Sequence, residues 1–530
     1  MKYLLKKQLE QLVSNGTHLL LKGALHGIEK EGLRVDYSGE LSQKPHPEGL
    51  GSALTNGNIT TDFSESLLEL ITPVFEDPGI AIQFLENLHG FTYSRLSEEL
   101  IWAGSMPCRI LDPARIPIAR FGSSNLGQMK HIYRLGLEHR YGKMMQSIAG
   151  IHYNFSLSDD FWQAVQEKRG NTLALQSFRS SSYFKMIRNV RRHSWLLLYL
   201  FGASPALCDS FLSGKPHELK RLHDQTLYLP YATSLRMSDL GYSTKVQSSL
   251  NICFNHLSTY VDSLDQAINT SYPLYERIGV KVDGKYRQLN DTILQIENEH
   301  YSDIRPKRVA RSGERPLYAL RKSGVQYIEI RSTDVNPFLP VGIDIQQALF
   351  LDTFLISCLL MDEKDVCPDE CKMVSDNVQK VITRGREPGL LLNTINGEAK
   401  LDEVGNALID QMSMTGELLD EVYKTKDYSI SVNAQKRKLE DTSQTPSAQV
   451  LKALQETGLN YTQWIMLKSR EHKETFKQLS SSSEVYKDLS RQAAASIKEQ
   501  QQLEATDTLS FDKFLEEYLA FKLYDECEPN

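Results

Sequence analysis

Gly27-Ile28-Glu29-Lys30-Glu31-Gly32-Leu33-Arg34 sets two carboxylates two residues apart in a run that reads as a strand. Successive strand side chains point to opposite faces, so Glu29 and Glu31 share a face, roughly 7 Å apart. Two further stretches repeat the arrangement. Gly150-Ile151-His152-Tyr153-Asn154-Phe155 pairs His152 with Asn154 on one face, and Tyr327-Ile328-Glu329-Ile330-Arg331 pairs Glu329 with Arg331. The opposite faces carry Ile, Tyr and Phe. A polar face can simply be solvated, as antiparallel sheets often are. Outer faces, however, favour Thr, Lys, Ser and Gln. Three strands offering only metal-ligand and anion-clamp groups predict one shared polar cavity.

Other strand candidates are Ala24 to Leu33, Leu67 to Thr72, Ile148 to Ser156, Ser249 to Phe254, Ile293 to Glu299 and Tyr327 to Ser332. They do not alternate regularly with helices, and the Gly-x-Gly-x-x-Gly turn of a dinucleotide fold is missing. An α+β architecture is expected rather than a doubly wound parallel sheet. Leu4, Leu5, Leu9, Leu12 and Val13 mark the stripe of a first helix ended by Asn15-Gly16. From about 346 the pattern turns helical, with Leu349, Thr353, Ile356 and Leu360 at helical spacing. Ser480 to Ser483 is a polar break. Ser510 reads as the N-cap of a last helix with Phe511, Phe514, Leu515, Tyr518 and Leu519 inward. Two parts are expected, a catalytic α+β core over 1–345 and a mainly helical part over 346–530 packed on it. The helical part carries no chemistry in its sequence and reads as support.

A length of 530 residues with 41% hydrophobic and 9% aromatic content provides a large ordinary core. A net charge of −7 argues against nucleic acid or an anionic membrane as principal partner. The first apolar residues break at once into Lys6, Lys7 and Gln8, unlike a secretory leader. No apolar run reaches membrane-spanning length. A cytoplasmic protein is expected. Its seven cysteines, at 108, 208, 253, 358, 367, 371 and 526, form no CxxC pair and read as free thiols.

Glu29 and Glu31 on an inner face would repel, and one would stay protonated unless a divalent cation relieved them; magnesium prefers such oxygens. An exposed face paired with lysines is the alternative. Asp62 and Glu65 fit a helix capping box. Glu69, between Leu68 and Leu70, does not, and a buried carboxylate needs a partner. Glu329 and Arg331 read either as a metal ligand beside an anion clamp or as an ion pair along one strand. The basic run Arg305, Lys307, Arg308 and Arg311 is either a solvated loop or a polyphosphate site. Gly122 to Lys130 misses a phosphate loop, since Gln128 and Met129 replace its Lys and Ser/Thr. The residues alone reach a magnesium-type cavity with arginines, suited to phosphoryl transfer or to a two-metal phosphohydrolase.

At these stretches the chain resembles the glutamate–cysteine ligases of the proteobacterial type. The likeness runs through Gly27 to Arg34, His46 to Thr55, Ile59 to Glu69, Ser105 to Cys108, Tyr133-Arg134, Arg140 to Gly142, Met145-Gln146 and Gly150 to Ser156. It continues through Tyr199 to Pro205, Leu229 to Arg236, Leu240 to Tyr242, Gln295 to Glu299, Ile304 to Arg308 and Tyr327 to Arg331, and fades after about 360. Lys30 and Gly32 stand where the pattern has Arg and Thr. The resemblance implies a curved, mainly antiparallel sheet forming a funnel with helices outside, similar to the catalytic domain of glutamine synthetase. It implies ATP-dependent joining of the γ-carboxyl of L-glutamate to the amine of L-cysteine through γ-glutamyl phosphate, the first step of glutathione synthesis, with Mg2+ as cofactor.

The same resemblance implies roles. Glu29, Glu31, Asp62, Glu69, His152 and Glu329 would hold magnesium, and Arg331 would stabilise the transferred phosphoryl group, making Glu29, Glu329 and Arg331 the catalytic set. Arg134, Gln146, Asn154 and Arg236 would grip glutamate. Phe63, Tyr133, Leu137, Ile148, Tyr242 and Tyr301 would shape the cysteine pocket. On its charge alone, and not by the resemblance, the basic run Arg305, Lys307, Arg308 and Arg311 would meet the nucleotide phosphates. Partners would be small molecules only, with a monomer as the simplest state.

Overall fold

The computed structural model describes residues 2–212, 214–241, 246, 250, 252–311, 314–361, 364–476 and 483–520. Its centre is a seven-stranded sheet of β1 (Leu25–Asp36), β2 (Ile59–Thr61), β3 (Leu67–Ile71), β4 (Glu99–Ile101), β5 (Ile151–Ser156), β6 (Ile304–Lys307) and β7 (Tyr327–Thr333). The order is β6-β7-β5-β1-β3-β2, with β4 on the end of β1, and every pairing is antiparallel. This is the α+β architecture that the alternation predicts.

Register turns separate motifs into one surface. Glu29 lies opposite His152, Gly27 opposite Asn154, and Glu31 opposite Glu69. On the far side of β5, Glu329 lies opposite Asn154, and Arg305 lies opposite Glu329. Because side chains alternate, these groups share one face. A bulge between Ile330 and Thr333 interrupts β7 at Arg331. Such irregularities re-aim a side chain beside active sites.

The main helices are α1 (Lys2–Ser14), α2 (Pro78–Arg95), α3 (Asn125–Tyr141), α4 (Leu175–Phe201), α5 (Ile345–Leu360), α6 (Leu401–Tyr423), α7 (Asp427–Glu440), α8 (Tyr461–Phe476), α9 (Glu484–Thr506) and α10 (Phe511–Ala520), and the other face of the sheet is apolar and meets α2, α4 and α5. Ile28, Tyr153 and Ile330 are fully buried there. In α5 every residue from Gln347 to Leu360 is buried, as expected of a helix apolar all round. Its one charge, Asp352, accepts a 2.8 Å hydrogen bond from the Tyr153 hydroxyl and faces the His26 ring at 3.1 Å. Burial lowers the His26 pKa, but the Asp352 charge and hydrogen bonding more than offset it, so the imidazole stays above its ordinary value. The main apolar cluster runs without a break from α1 through the sheet to α7, α8 and α9.

Lys30 points to this back side, its Nζ 2.7 Å from Nε2 of His89 on α2, and burial pushes its pKa down to about 7. At Gly32 a Cβ would come within 2.7 Å of Ile101 Cγ2. Both departures from the family pattern therefore lie off the carboxylate face.

Several expectations differ from what is observed. Val13 is exposed, while Leu5, Leu9 and Leu12 form the buried stripe of α1. The stretch Ile293 to Glu299 contains no strand and ends in a 3-10 turn, because Glu297 and Glu299 serve distant partners. Residues 250 and 252–254 are not strand, and the rest of Ser249 to Phe254 lies outside the described residues. Asp62 and Glu65 cap no helix: Glu65 instead accepts from the backbone N–H groups of His46 and Arg120, tying two loops to the sheet. The helical part also contains a hairpin, Leu391–Thr394 with Gly397–Lys400. Ser480 to Ser482 lie outside the described residues; Ser483 caps α9. Cys108, Cys208 and Cys358 are buried free thiols, and Cys367 and Cys371 are exposed and unbridged. No helix among the described residues is long and apolar enough to cross a membrane.

Candidate active site

Above the polar face opens a cavity of about 250 Å³. The strands supply its floor and α3 one wall. Ser124 caps α3 by accepting from Gly127 N–H, and the helix turns Tyr133, Arg134 and Leu137 into the cavity. Phe63, Asp62, Gln146, Arg236, Tyr301 and Arg305 also line it, with Glu31, His152 and Arg331.

Ligand atoms of Glu29, His152 and Glu329 all lie within 4.8 Å of one another. His152 Nδ1 is 3.2 Å from Glu29 Oε2 and 3.6 Å from Glu329 Oε1, while its Nε2 is 3.7 Å from Glu31 Oε1. Asn154 Nδ2 donates to Glu29 Oε1 at 2.8 Å, and the Gly150 N–H donates to Glu31 Oε2 at 2.6 Å. Arg331 Nη1 reaches Glu329 Oε1 at 3.1 Å, and Lys307 Nζ lies 3.4 Å from Glu329 Oε2.

The charges divide into two groups. Burial opposes ionisation of Glu329, but Arg331, Lys307, His152 and Arg305 together hold its carboxyl well below the ordinary range. Glu29 is likewise held low against burial, chiefly by its hydrogen bond with His152. Glu31 and Glu69 behave oppositely. Burial, joined by repulsion from Asp62, raises Glu31 despite His152 and the arginines. Burial and the charges of Glu29, Asp62 and Glu31 raise Glu69 well above its usual value. Negative charge on this side exceeds what the chain's cations neutralise. Hard oxygen donors with one imidazole and a surplus of negative charge fit a divalent cation of the magnesium class. Buried oxygens without a hydrogen-bond donor, Glu329 Oε2 and Asn154 Oδ1, point the same way.

The cationic walls are built separately. Arg134 donates to the backbone oxygens of Asp62 and Lys130 and lies 4.4 Å above the Phe121 ring. Arg236 donates to Arg331 O at 2.8 Å and stands 3.6 Å from buried Asp334. It passes so close to Gly150 that a Cβ there would sit 2.0 Å from Arg236 Nη2. Only glycine allows that approach. Gln146 Nε2 donates to the Tyr301 hydroxyl at 2.8 Å, and Arg305 donates to Asn298 O and His300 O.

Thus Glu29, Glu31, Asp62, Glu69, His152, Asn154, Glu329, Arg331, Arg305 and Lys307 meet on or beside one face. Ile148 is buried in the main core rather than on the cavity wall, and Tyr242 lies outside the described residues. Arg308 sits among Arg179, Asp159 and Glu314, and Arg311 is exposed, so the basic run splits, with two members at the site and two away from it. Sequence reading did not single out Met237, Asn298, Ser302 or Asp303, which line the cavity, nor Glu299, whose carboxylate binds Arg140 and Tyr141. It missed Asp334 too, which accepts from Ala203 N–H, Ser204 and Ser234 behind Arg236.

Residues 9–381 match the family model for glutamate–cysteine ligase. A glutamate–cysteine ligase of Pseudomonas putida is 49% identical over 98% of this chain and 99% of its own length. One of Pseudomonas aeruginosa is 48% identical over 98% of each. Among solved structures, the glutamate–cysteine ligase of Francisella tularensis, in complex with AMP, superposes with a TM-score of 0.88 at 40% identity, covering 94% of this chain and 98% of that one. A bifunctional glutathione synthetase from Pasteurella multocida gives 0.70 at 26% identity, with this chain spanning 54% of its length. A match of this extent, over the strands that carry the carboxylates and the helix that carries Arg134, places the chain in the glutamate–cysteine ligase family.

Proposed function

We infer that this chain joins the γ-carboxyl of L-glutamate to the amine of L-cysteine, consuming ATP and releasing ADP and phosphate. The observation that carries the reading is the juxtaposition of an ionised carboxylate–imidazole cluster with Arg331, facing arginines that belong to a separate cavity wall. A phosphoryl group and a dicarboxylic amino acid can be held side by side there.

In the first step a γ-carboxylate oxygen of glutamate bonds to the γ-phosphorus of ATP, and the bond to the ADP oxygen breaks. In the second the cysteine amine bonds to the acyl carbon, phosphate leaves with the electron pair, and the amine loses a proton. Positioning and charge neutralisation supply most of the acceleration in such transfers. Arg331 is kept protonated by Glu329, Glu31 and Glu29 despite burial, and its forked donors suit the equatorial oxygens of the moving group. Arg134 and Arg236 meet the carboxylates of glutamate, with Gln146 and Asn154 as neutral partners. Tyr133, Leu137, Phe63 and Tyr301 bound a small, mixed apolar space for the thiol side chain. Glu29, Glu31, Asp62, Glu69, His152 and Glu329 would hold Mg2+, which when bound neutralises phosphate charge. Arg305 and Lys307 face the phosphate side.

Unbridged buried thiols accord with a reducing cytoplasm. The acyl phosphate route is tested with glutamate labelled by ¹⁸O in the γ-carboxylate: one label per turnover is expected in the released phosphate. Unlabelled phosphate would mean that the carboxylate never attacks phosphorus.

A further inference from the structure

The end of the chain, silent in sequence chemistry, touches the site through α3. Apart from the main core, Met129 and Ile132 of α3 form a second buried cluster with Leu289 and with Leu515 of α10, flanked by Phe511 and Tyr518. The same region holds the N-terminus of α3. The Asn125 N–H donates to the Asp507 carboxylate, the Ser123 N–H to Glu504 Oε1 at 2.8 Å, and Asn125 Nδ2 to Leu509 O at 3.0 Å. Carboxylates are favoured at that end of a helix by its exposed N–H groups and dipole. Glu504 is held below its ordinary range by the Ser123 N–H. At Gly122 a Cβ would meet Gln500 and Glu504 at 2.2 Å, so the two segments are in close contact. None of these C-terminal residues lines the cavity.

We propose that Glu504 to Ala520 acts as a clamp on α3, with Asp507 and Leu515 as positioning residues that set Tyr133, Arg134 and Leu137 in the amino-acid pocket. The inference rests on the reading that α3 contacts glutamate and cysteine. The carboxylate strands β1, β5 and β7 carry the phosphate chemistry and are held by other elements, so loosening the clamp affects amino-acid binding and spares ATP. Asp507 is exposed, so its replacement does not threaten the core.

The test is steady-state kinetics on the full chain carrying Asp507→Ala, Asp507→Asn or Leu515→Ala, with thermal melts. Asp507→Ala and Leu515→Ala are expected to raise the KM for glutamate or cysteine about tenfold, on the scale of a lost cap and a displaced binding group. The KM for ATP should change less than about twofold, and the main melting transition should stay in place. Asp507→Asn, which keeps an oxygen to accept from Asn125 N–H, should restore most of the affinity. Unchanged amino-acid KM values in both Asp507→Ala and Leu515→Ala would overturn the proposal. So would equal rises for all three substrates with a fall in melting temperature, the pattern of mere structural support. If wild-type enzyme consumed ATP without either amino acid, the ligase reading itself would fail, whatever the variants do.

Discussion

Replacing Glu329 by Gln is expected to lower turnover by on the order of 10³-fold with the fold retained in circular dichroism. The side chain is fully buried, and its two oxygens face Arg331, His152 and Lys307. Glutamine preserves volume and removes the charge. Two stability effects then oppose each other. Arg331 and Lys307 lose a counter-charge, which on its own is costly for buried pairs, while repulsion with Glu29 is relieved. The chemical effect has no such compensation, because one of the ionised oxygens that would hold the Mg2+ needed to neutralise phosphate charge is lost. Glu29→Gln should behave alike. Near-normal activity in either variant would sink the metal-holding role.

Arg331→Ala is the second large effect, a fall in kcat on the order of 100-fold or more with a much smaller change in the KM for glutamate. Arg331 bonds Glu329 along its own strand, and its backbone N–H donates to Asp303 O at 2.8 Å, so its aim is fixed by the bulged backbone as well as by charge. A cation already placed where charge develops contributes more to the transition state than to the ground state. Steady-state kinetics decide: a rise confined to the KM for glutamate would make Arg331 a substrate grip.

The polar face was legible because period-two alternation in β1, β5 and β7 put Glu, His, Asn and Arg where packing gains nothing from them. Ser510 was legible for a similarly local reason, since its hydroxyl accepts from Lys513 N–H at the head of α10. What failed was long-range. Glu297 and Glu299 look like outward residues of a strand, yet both are buried and bonded to groups far along the chain, namely Leu317 N–H and Arg140. Glu65 looked like a cap but ties down two loops. The hairpin of Leu391–Thr394 with Gly397–Lys400 did carry a signal at its turn, Asn396-Gly397, a dipeptide favoured in hairpin turns. Helical periodicity around it obscured that signal. Asp334 behind Arg236, and Asp507 on the head of α3, are separated from their partners by about a hundred residues or more, and no pattern within a segment reveals such pairs.

The most direct measurement is ADP formation by the purified chain with Mg2+ and ATP, supplying glutamate and cysteine singly and together, with mass analysis of the product. Formation that needs both amino acids and yields γ-glutamylcysteine is the predicted result. ADP released without them, or only with glutamate and a different amine, would contradict it.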